Sequence, residues 1–256
     1  MKTHLTLQAI AGACVVGLLS AVASHAQDAA YSINIVGFQK IAAPPQFNMA
    51  STPFDAEILD INQAIGPQLT ANTDFTNADN ILLWDAGAQQ YKLLYLSSLQ
   101  TNKWVDLSTG VSSEPILVGK GMFIRNRQAF TQSVVVAGDV VADAAMTNPV
   151  VLGFQMLAYP YSADIPLNSM AFTNGGFGSN NFNNSDNIYL WDSTNQQYRT
   201  YFLAGNVGNP AANYKWISVT PPGIASNVIV RTGDGFWYRH RENGFNWVEV
   251  NPYPNL

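Results

Sequence analysis

The chain has 256 residues, of which 47% are hydrophobic and only 11% charged, and its formal charge is −5. An acidic, charge-poor chain lacks the basic footprint that binding a phosphate backbone requires, so no nucleic-acid partner is expected. Charged residues usually make up about 25% of a soluble domain; here Asn, Gln, Ser and Thr take their place on the surface. A single cysteine, Cys14, excludes a disulfide framework, so a packed core must supply the stability.

Taken in chain order, residues 1–26 read as a signal peptide. Lys2 gives a basic start, Leu5 to Val22 is apolar with small residues, and Ser24-His25-Ala26 supplies a cleavage signal near Ala26. The apolar run approaches the roughly 20 residues that span a bilayer, but no basic stop-transfer flank follows it. The expected product is secreted or held in the outer envelope, with no integral membrane segment in the mature chain. Cleavage removes Cys14, and Lys2 is the only charged residue lost with it. The stretch "AYSINIVGF" (Ala30–Phe38) then alternates as a strand. Tyr31, Ile33 and Ile35 share one face and, with Phe38, form a candidate self-association strand beside the stiff Pro44-Pro45 pair. Its competing partner is "SVVVAGDVV" of the same chain. "DAEILDINQAIGP" predicts a helix with Asp55 as N-cap, Ile58, Ile61 and Ile65 on one face, and Gly66-Pro67 as its stop. In the second half Pro166 falls at the matching place and shortens that helix to about one turn.

Beyond it the punctuation is that of β structure. Ile81–Trp84 and Tyr91–Leu96 flank "DAGAQQ", Ile188–Trp191 and Tyr198–Leu203 flank "DSTNQQ", and each set reads as a hairpin. "SVVVAGDVV" and "SNVIVRTGDGFWYR" add strands, the latter turning at its glycines. The two hairpins are near copies: "DNILLWDAGAQQY" and "DNIYLWDSTNQQY" agree at nine of thirteen positions. "FNMASTPFDAEI" answers "FQMLAYPYSADI", Trp104 answers Trp216, and "GKGMFIRNR" answers "GDGFWYRHR", with spacing that widens where second-half loops lengthen. Fixed anchors with drifting loops predict two tandem homologous lobes, 27–141 and 142–256. The predicted fold is all-β, mainly antiparallel and sandwich-like, with one short helix per repeat. Trp84 and Trp191 are expected in the core, with Asp, Asn and Gln shaping the turns.

These phrases resemble a group of uncharacterised secreted bacterial β-rich proteins that carry signal peptides. The resemblance rests on Phe47, Asn48, Pro53, Phe54, Ala78, Asp79, Ile81, Trp84, Asp85, Tyr91, Gly119, Gly121 and Phe123. In the second half it rests on Phe154, Pro160, Asp186, Ile188, Trp191, Asp192, Tyr198, Gly233, Gly235, Phe236, Trp237 and Arg239. The chain departs from the pattern at Ser185, where Ala is expected, and at Met122. The resemblance covers nearly all of the mature chain and implies export and a β-rich fold, with no inherited catalytic residue.

Catalytic chemistry has little to work with. After cleavage His240 is the only histidine, and it stands where the first half has Asn126, so it reads as a surface residue. No G-x-S-x-G phrase accompanies it. Zinc chemistry lacks ligands. Asp79 with Asp85, and Asp186 with Asp192, bracket a strand and could serve a glycoside hydrolase, but aspartates at strand ends more simply start turns. Asp186, in "NNFNNSDN", is a weak calcium candidate whose loop lacks the D-x-[DN]-x-[DN]-G pattern. "GKG" and "GDG" precede strands rather than helices and imply no phosphate cradle. The remaining constellation is a strand pair: Phe123, Arg125 and Arg127 on one face, and Trp237, Arg239 and Arg241 on the matching one. Aromatic faces with guanidinium forks suit a sugar or an anionic polymer; the competing reading has the arginines pairing with acids and packing over the rings. The sequence thus predicts a non-enzymatic, cofactor-free exported surface or matrix protein that works by contact or self-assembly. The alternative is a carbohydrate-binding module, and a glycoside hydrolase comes third.

Overall fold

Runs of β-branched and aromatic residues cut by Gly, Asn and Asp set the strands. The computed structural model describes residues 35–55 and 60–253. The first half contributes β1 (Val36–Ala43), β2 (Gln46–Ser51), β3 (Phe54–Asp55), the short helix α1 (Ile61–Ala64), β4 (Asn80–Asp85), β5 (Gln90–Ser97), β6 (Lys103–Asp106), β7 (Gly110–Val111), β8 (Gly121–Asn126) and β9 (Gln132–Val140). The second half contributes β10 (Ala145–Val150), β11 (Gly153–Ala158), β12 (Ile165–Pro166), β13 (Asn187–Asp192), β14 (Gln197–Leu203), β15 (Trp216–Val219), β16 (Pro222–Ile224), β17 (Ile229–Val230), β18 (Gly235–His240) and β19 (Phe245–Val250). Among the described residues no helix is long and apolar enough to cross a membrane.

All strand pairs are antiparallel. One six-stranded sheet runs β2-β8-β4-β5-β6-β7, and the other runs β11-β18-β13-β14-β15-β16, the same order in each half. A smaller sheet covers each: β1-β9-β3 in the first half and β10-β19 in the second. The halves differ where β12 pairs with β17, whereas β3 pairs with β9.

Side-chain alternation explains the layers. Along β4, Ile81 and Leu83 pack into the first half's core, with Ile41, Val134, Val136 and Trp104. Leu82 and Trp84 point the other way, into a third cluster shared by both halves. β13 repeats this, with Ile188 and Leu190 toward the second half's core and Tyr189 and Trp191 toward the shared cluster. The large sheets are therefore covered on both faces, which is why "ILLW" and "IYLW" are apolar without a break. From Ile35 onward the chain is one compact unit.

The helices depart from expectation in one half. Asp55 lies in β3, opposite Asp139, and the N-cap is Asp60, whose carboxylate accepts from the Asn62 N–H at 2.7 Å. Packing Phe54 into the core commits Asp55 to the sheet, so the helix starts five residues later and lasts one turn; Ile58 lies outside the described residues. In the second half Pro166 precedes a 3-10 turn, Leu167–Ser169, the short piece that Pro166 predicts.

A set of paired contacts joins the halves. The Trp84 indole donates to the Phe154 carbonyl at 2.7 Å, and the Trp191 indole donates to the Phe47 carbonyl at 2.8 Å. Gln89 grips the Phe154 amide and carbonyl at 2.8 and 2.9 Å, and Gln196 does the same to Phe47 at 3.1 and 3.0 Å. Ser51 N–H donates to Gly233 O at 2.8 Å and Ala158 N–H to Gly119 O at 3.0 Å. Here "GKG" and "GDG" find their use. Gly119 and Gly233 take left-handed φ values of 75° and 82°, and a Cβ on Gly121 or Gly235 would crowd a carbonyl of the other half at 3.0 or 2.9 Å.

Candidate functional site

The two hairpins converge on an aromatic groove. Trp84 and Tyr91 face each other across β4–β5, as Trp191 and Tyr198 do across β13–β14. Trp84, Tyr91, Phe154, Tyr189, Tyr198 and Trp237 line an open cavity of about 300 Å³. The rings meet edge to face, Trp84 on Trp237 at 4.8 Å and on Tyr91 at 5.0 Å, an arrangement that fixes each by its neighbour's quadrupole. Tyr91 and Tyr198 remain 44% and 40% exposed and offer ring surface to solvent. Burial of its ring pushes the Tyr91 hydroxyl up to about 12, with the Tyr198 hydroxyl adding to it; burial likewise raises Tyr198, against the pull of the Trp237 N–H at 3.1 Å. Both phenols are neutral donors at ordinary pH.

The six residues predicted for ligand contact divide into three pairs. Phe123 and Trp237 are buried in the shared cluster. Arg125 and Arg239 lie over phenylalanine rings, at 4.8 Å from the centroid of Phe47 and 5.0 Å from that of Phe154. Arg127 and Arg241 are committed to local structure: Arg127 donates to Asn80 Oδ1, and Arg241 to the Ser185 carbonyl and Asn187 Oδ1. Trp84 and Trp191 are half-buried walls between the halves rather than residues of either half's own core. Sequence reasoning missed Tyr91, Phe154, Tyr189 and Tyr198. The available sign was the tyrosine that closes both copies of the hairpin phrase, opposite its tryptophan.

His240 is not on the surface; it is 1% exposed. Its Nδ1 faces Asp186 Oδ2 at 2.9 Å and its Nε2 the Asn243 carbonyl at 2.8 Å. The Asp186 carboxylate also accepts from Phe177 N–H, Tyr238 Oη–H and Arg241 N–H at 2.7, 2.6 and 2.9 Å. Four donors around one carboxylate make a fastener for the ends of β13 and β18, and a cation at Asp186 would have to displace them. Asp79 is the counterpart, accepting from Thr70 and Arg127 N–H at 2.8 and 2.7 Å and from the Gln132 amide. Asp85 and Asp192 do start turns, each accepting from two backbone amides of its hairpin loop. Asp79 and Asp85 thus sit at opposite ends of β4, about 20 Å apart at the usual rise per residue, well beyond the spacing of a glycosidase carboxyl pair.

Of the proposed self-association strand, Tyr31 and Ile33 lie outside the described residues, while Ile35 and Phe38 are exposed. β1 pairs along its whole length with β9, Phe38 opposite Ala137, so the competing partner "SVVVAGDVV" is the one observed. Comparison with protein families, with curated proteins and with solved structures yields no match to this chain.

Proposed function

We propose that the protein is a non-enzymatic, exported surface or matrix protein that acts by contact, and that its contact site is the aromatic groove, which binds polysaccharide. The observation that carries this reading is the six-ring groove, where two exposed tyrosines flank two tryptophans. Pyranose rings present apolar C–H faces that stack on such surfaces, while neutral phenols donate to sugar hydroxyls. Export is supported by the order of Lys2, the apolar run and Ser24-x-Ala26. We further infer that the halves arose as two tandem homologous lobes, supported by the matching strand order and the paired contacts of Trp84 with Trp191 and Gln89 with Gln196.

The test is affinity electrophoresis on a panel of neutral and acidic polysaccharides with the mature protein and the Tyr91→Ala/Tyr198→Ala double variant. Stacking loses about 0.5–1.5 kcal/mol per ring pair, so the variant should be retained several-fold less while it still unfolds in one cooperative transition. Equal mobility of both proteins on every polysaccharide would remove the groove from this role.

A second reading, contact between copies, is favoured by β1, an end strand of its sheet on which Val36 and Phe38 are 71% and 78% exposed.

A further inference from the structure

We infer that the ligand of this groove is an anionic glycan, its carboxylate or sulfate groups held by Arg239 and Arg125; the inference rests on the polysaccharide reading above. Both arginines lie on the inter-sheet faces that carry the aromatic cluster. Arg239 stands directly opposite Phe154 in the β11–β18 ladder, on the same face as Trp237, and Arg125 stands opposite Phe47 in the β2–β8 ladder, on the same face as Phe123. Phe154 and Trp237 are walls of the groove, while Phe47 and Phe123 continue the same cluster past Trp191, ring to ring at 5.9 and 5.6 Å. A guanidinium thus flanks each end of one aromatic surface.

What distinguishes these two arginines is that, among the described residues, no carboxylate pairs with them. Among the described residues the ion pairs are Lys92 with Glu114 and His240 with Asp186. Among the same residues neither Arg125 nor Arg239 is in one, neither guanidinium has a hydrogen-bond acceptor, and Arg125 Nε is buried. Their strand neighbours Arg127 and Arg241, two residues further on, find side-chain and carbonyl acceptors. A guanidinium held over an aromatic ring leaves its in-plane N–H groups free to bond a bidentate oxyanion. A buried donor left unanswered costs stability, and an oxyanion from a ligand would supply the missing acceptor. The chain as a whole is acidic, so long-range steering does not assist a polyanion. The selectivity must come from these two forks at short range, and it will weaken as salt screens them.

The experiment compares retention of the mature protein by polygalacturonate, dextran sulfate and neutral xylan, alongside Arg239→Gln, Arg125→Gln and Tyr198→Ala, each checked by thermal melting. The expected result is stronger retention by an acidic polymer than by xylan. Each Arg→Gln variant should lose about tenfold or more of the acidic retention, the loss expected for a charged hydrogen bond, and keep that on xylan. Polygalacturonate against dextran sulfate then tells carboxylate from sulfate ester. Equal retention by all three polymers, or arginine variants that bind like the parent, overturns the anionic ligand; if Tyr198→Ala still loses retention, the polysaccharide reading stands without it. Retention by none of the three overturns both.

Discussion

His240 is held between two acceptors, the Asp186 carboxylate and the Asn243 carbonyl, so only the doubly protonated imidazolium satisfies both contacts. Burial opposes that charge. The bonds to Asp186 and Asn243, with the charges of Asp186 and Glu242, outweigh it and hold the pKa above the ordinary histidine value. A folded-state pKa raised above the unfolded one means that the stabilisation is complete below about 6.5 and is lost as pH rises through the folded value. Urea melts of the parent should therefore show a loss of stability as pH rises above about 6.5. His240→Ala should remove that pH step and cost about 1.5–3 kcal/mol, the loss of one charged hydrogen bond from a carboxylate that keeps three other donors. A variant with the parent's pH slope would show that the histidine is not the titrating group. The sequence put this residue on the surface because its counterpart is Asn126; a buried Asn and a buried His⁺ can fill the same position when the local acceptors differ.

At the level of elements, an asparagine clasp recurs in both halves. Asn62 Oδ1 accepts from Trp104 N–H at 2.7 Å while its amide donates to the Ser112 carbonyl at 2.6 Å. Asn168 does the same for Trp216 and Ala225, at 2.6 and 3.1 Å. The clasps hold two buried tryptophans whose indoles differ. Trp104 Nε1 donates to the Gly66 carbonyl just past the end of α1, whereas Trp216 Nε1 is buried with no acceptor among the described residues. Trp104→Phe should consequently destabilise by about 1 kcal/mol more than Trp216→Phe, the usual net value of one hydrogen bond, as measured by urea unfolding; equal costs would refute the assignment. The hairpins and their turns were legible from aromatic and β-branched runs broken by Asp, Gly, Asn and Ser. The helix start was not, because Asp55 and Asp60 each precede isoleucines at helical spacing, so the pattern admits either as the cap.

Over the whole molecule, strand content and the matching of the two halves could be read from the chain, but the joint between them could not. "ILLW" and "IYLW" are apolar on both faces, so periodicity alone does not say which face meets the other half, and the groove formed there stays hidden until the sheets are stacked. The same scale governs assembly. Ile41 and Ala43 of β1 are buried in the first half's core, so deleting this strand would unfold what it is meant to test. Phe38→Lys is the cleaner change, since a charged edge residue discourages strand pairing without touching the core. Sedimentation of the mature protein over a wide concentration range should show association that this variant lacks, and a parent that remains monomeric throughout would exclude the edge as a connector. The glutamine grips carry a different consequence. Gln89 and Gln196 hold only main-chain atoms of Phe154 and Phe47, so these bonds, unlike the ring packing beside them, do not depend on which side chains those two positions display. Substitution at Phe154 or Phe47 therefore alters the ring surface between the halves while these four bonds stay in place, so part of the union is insensitive to the side chains it frames.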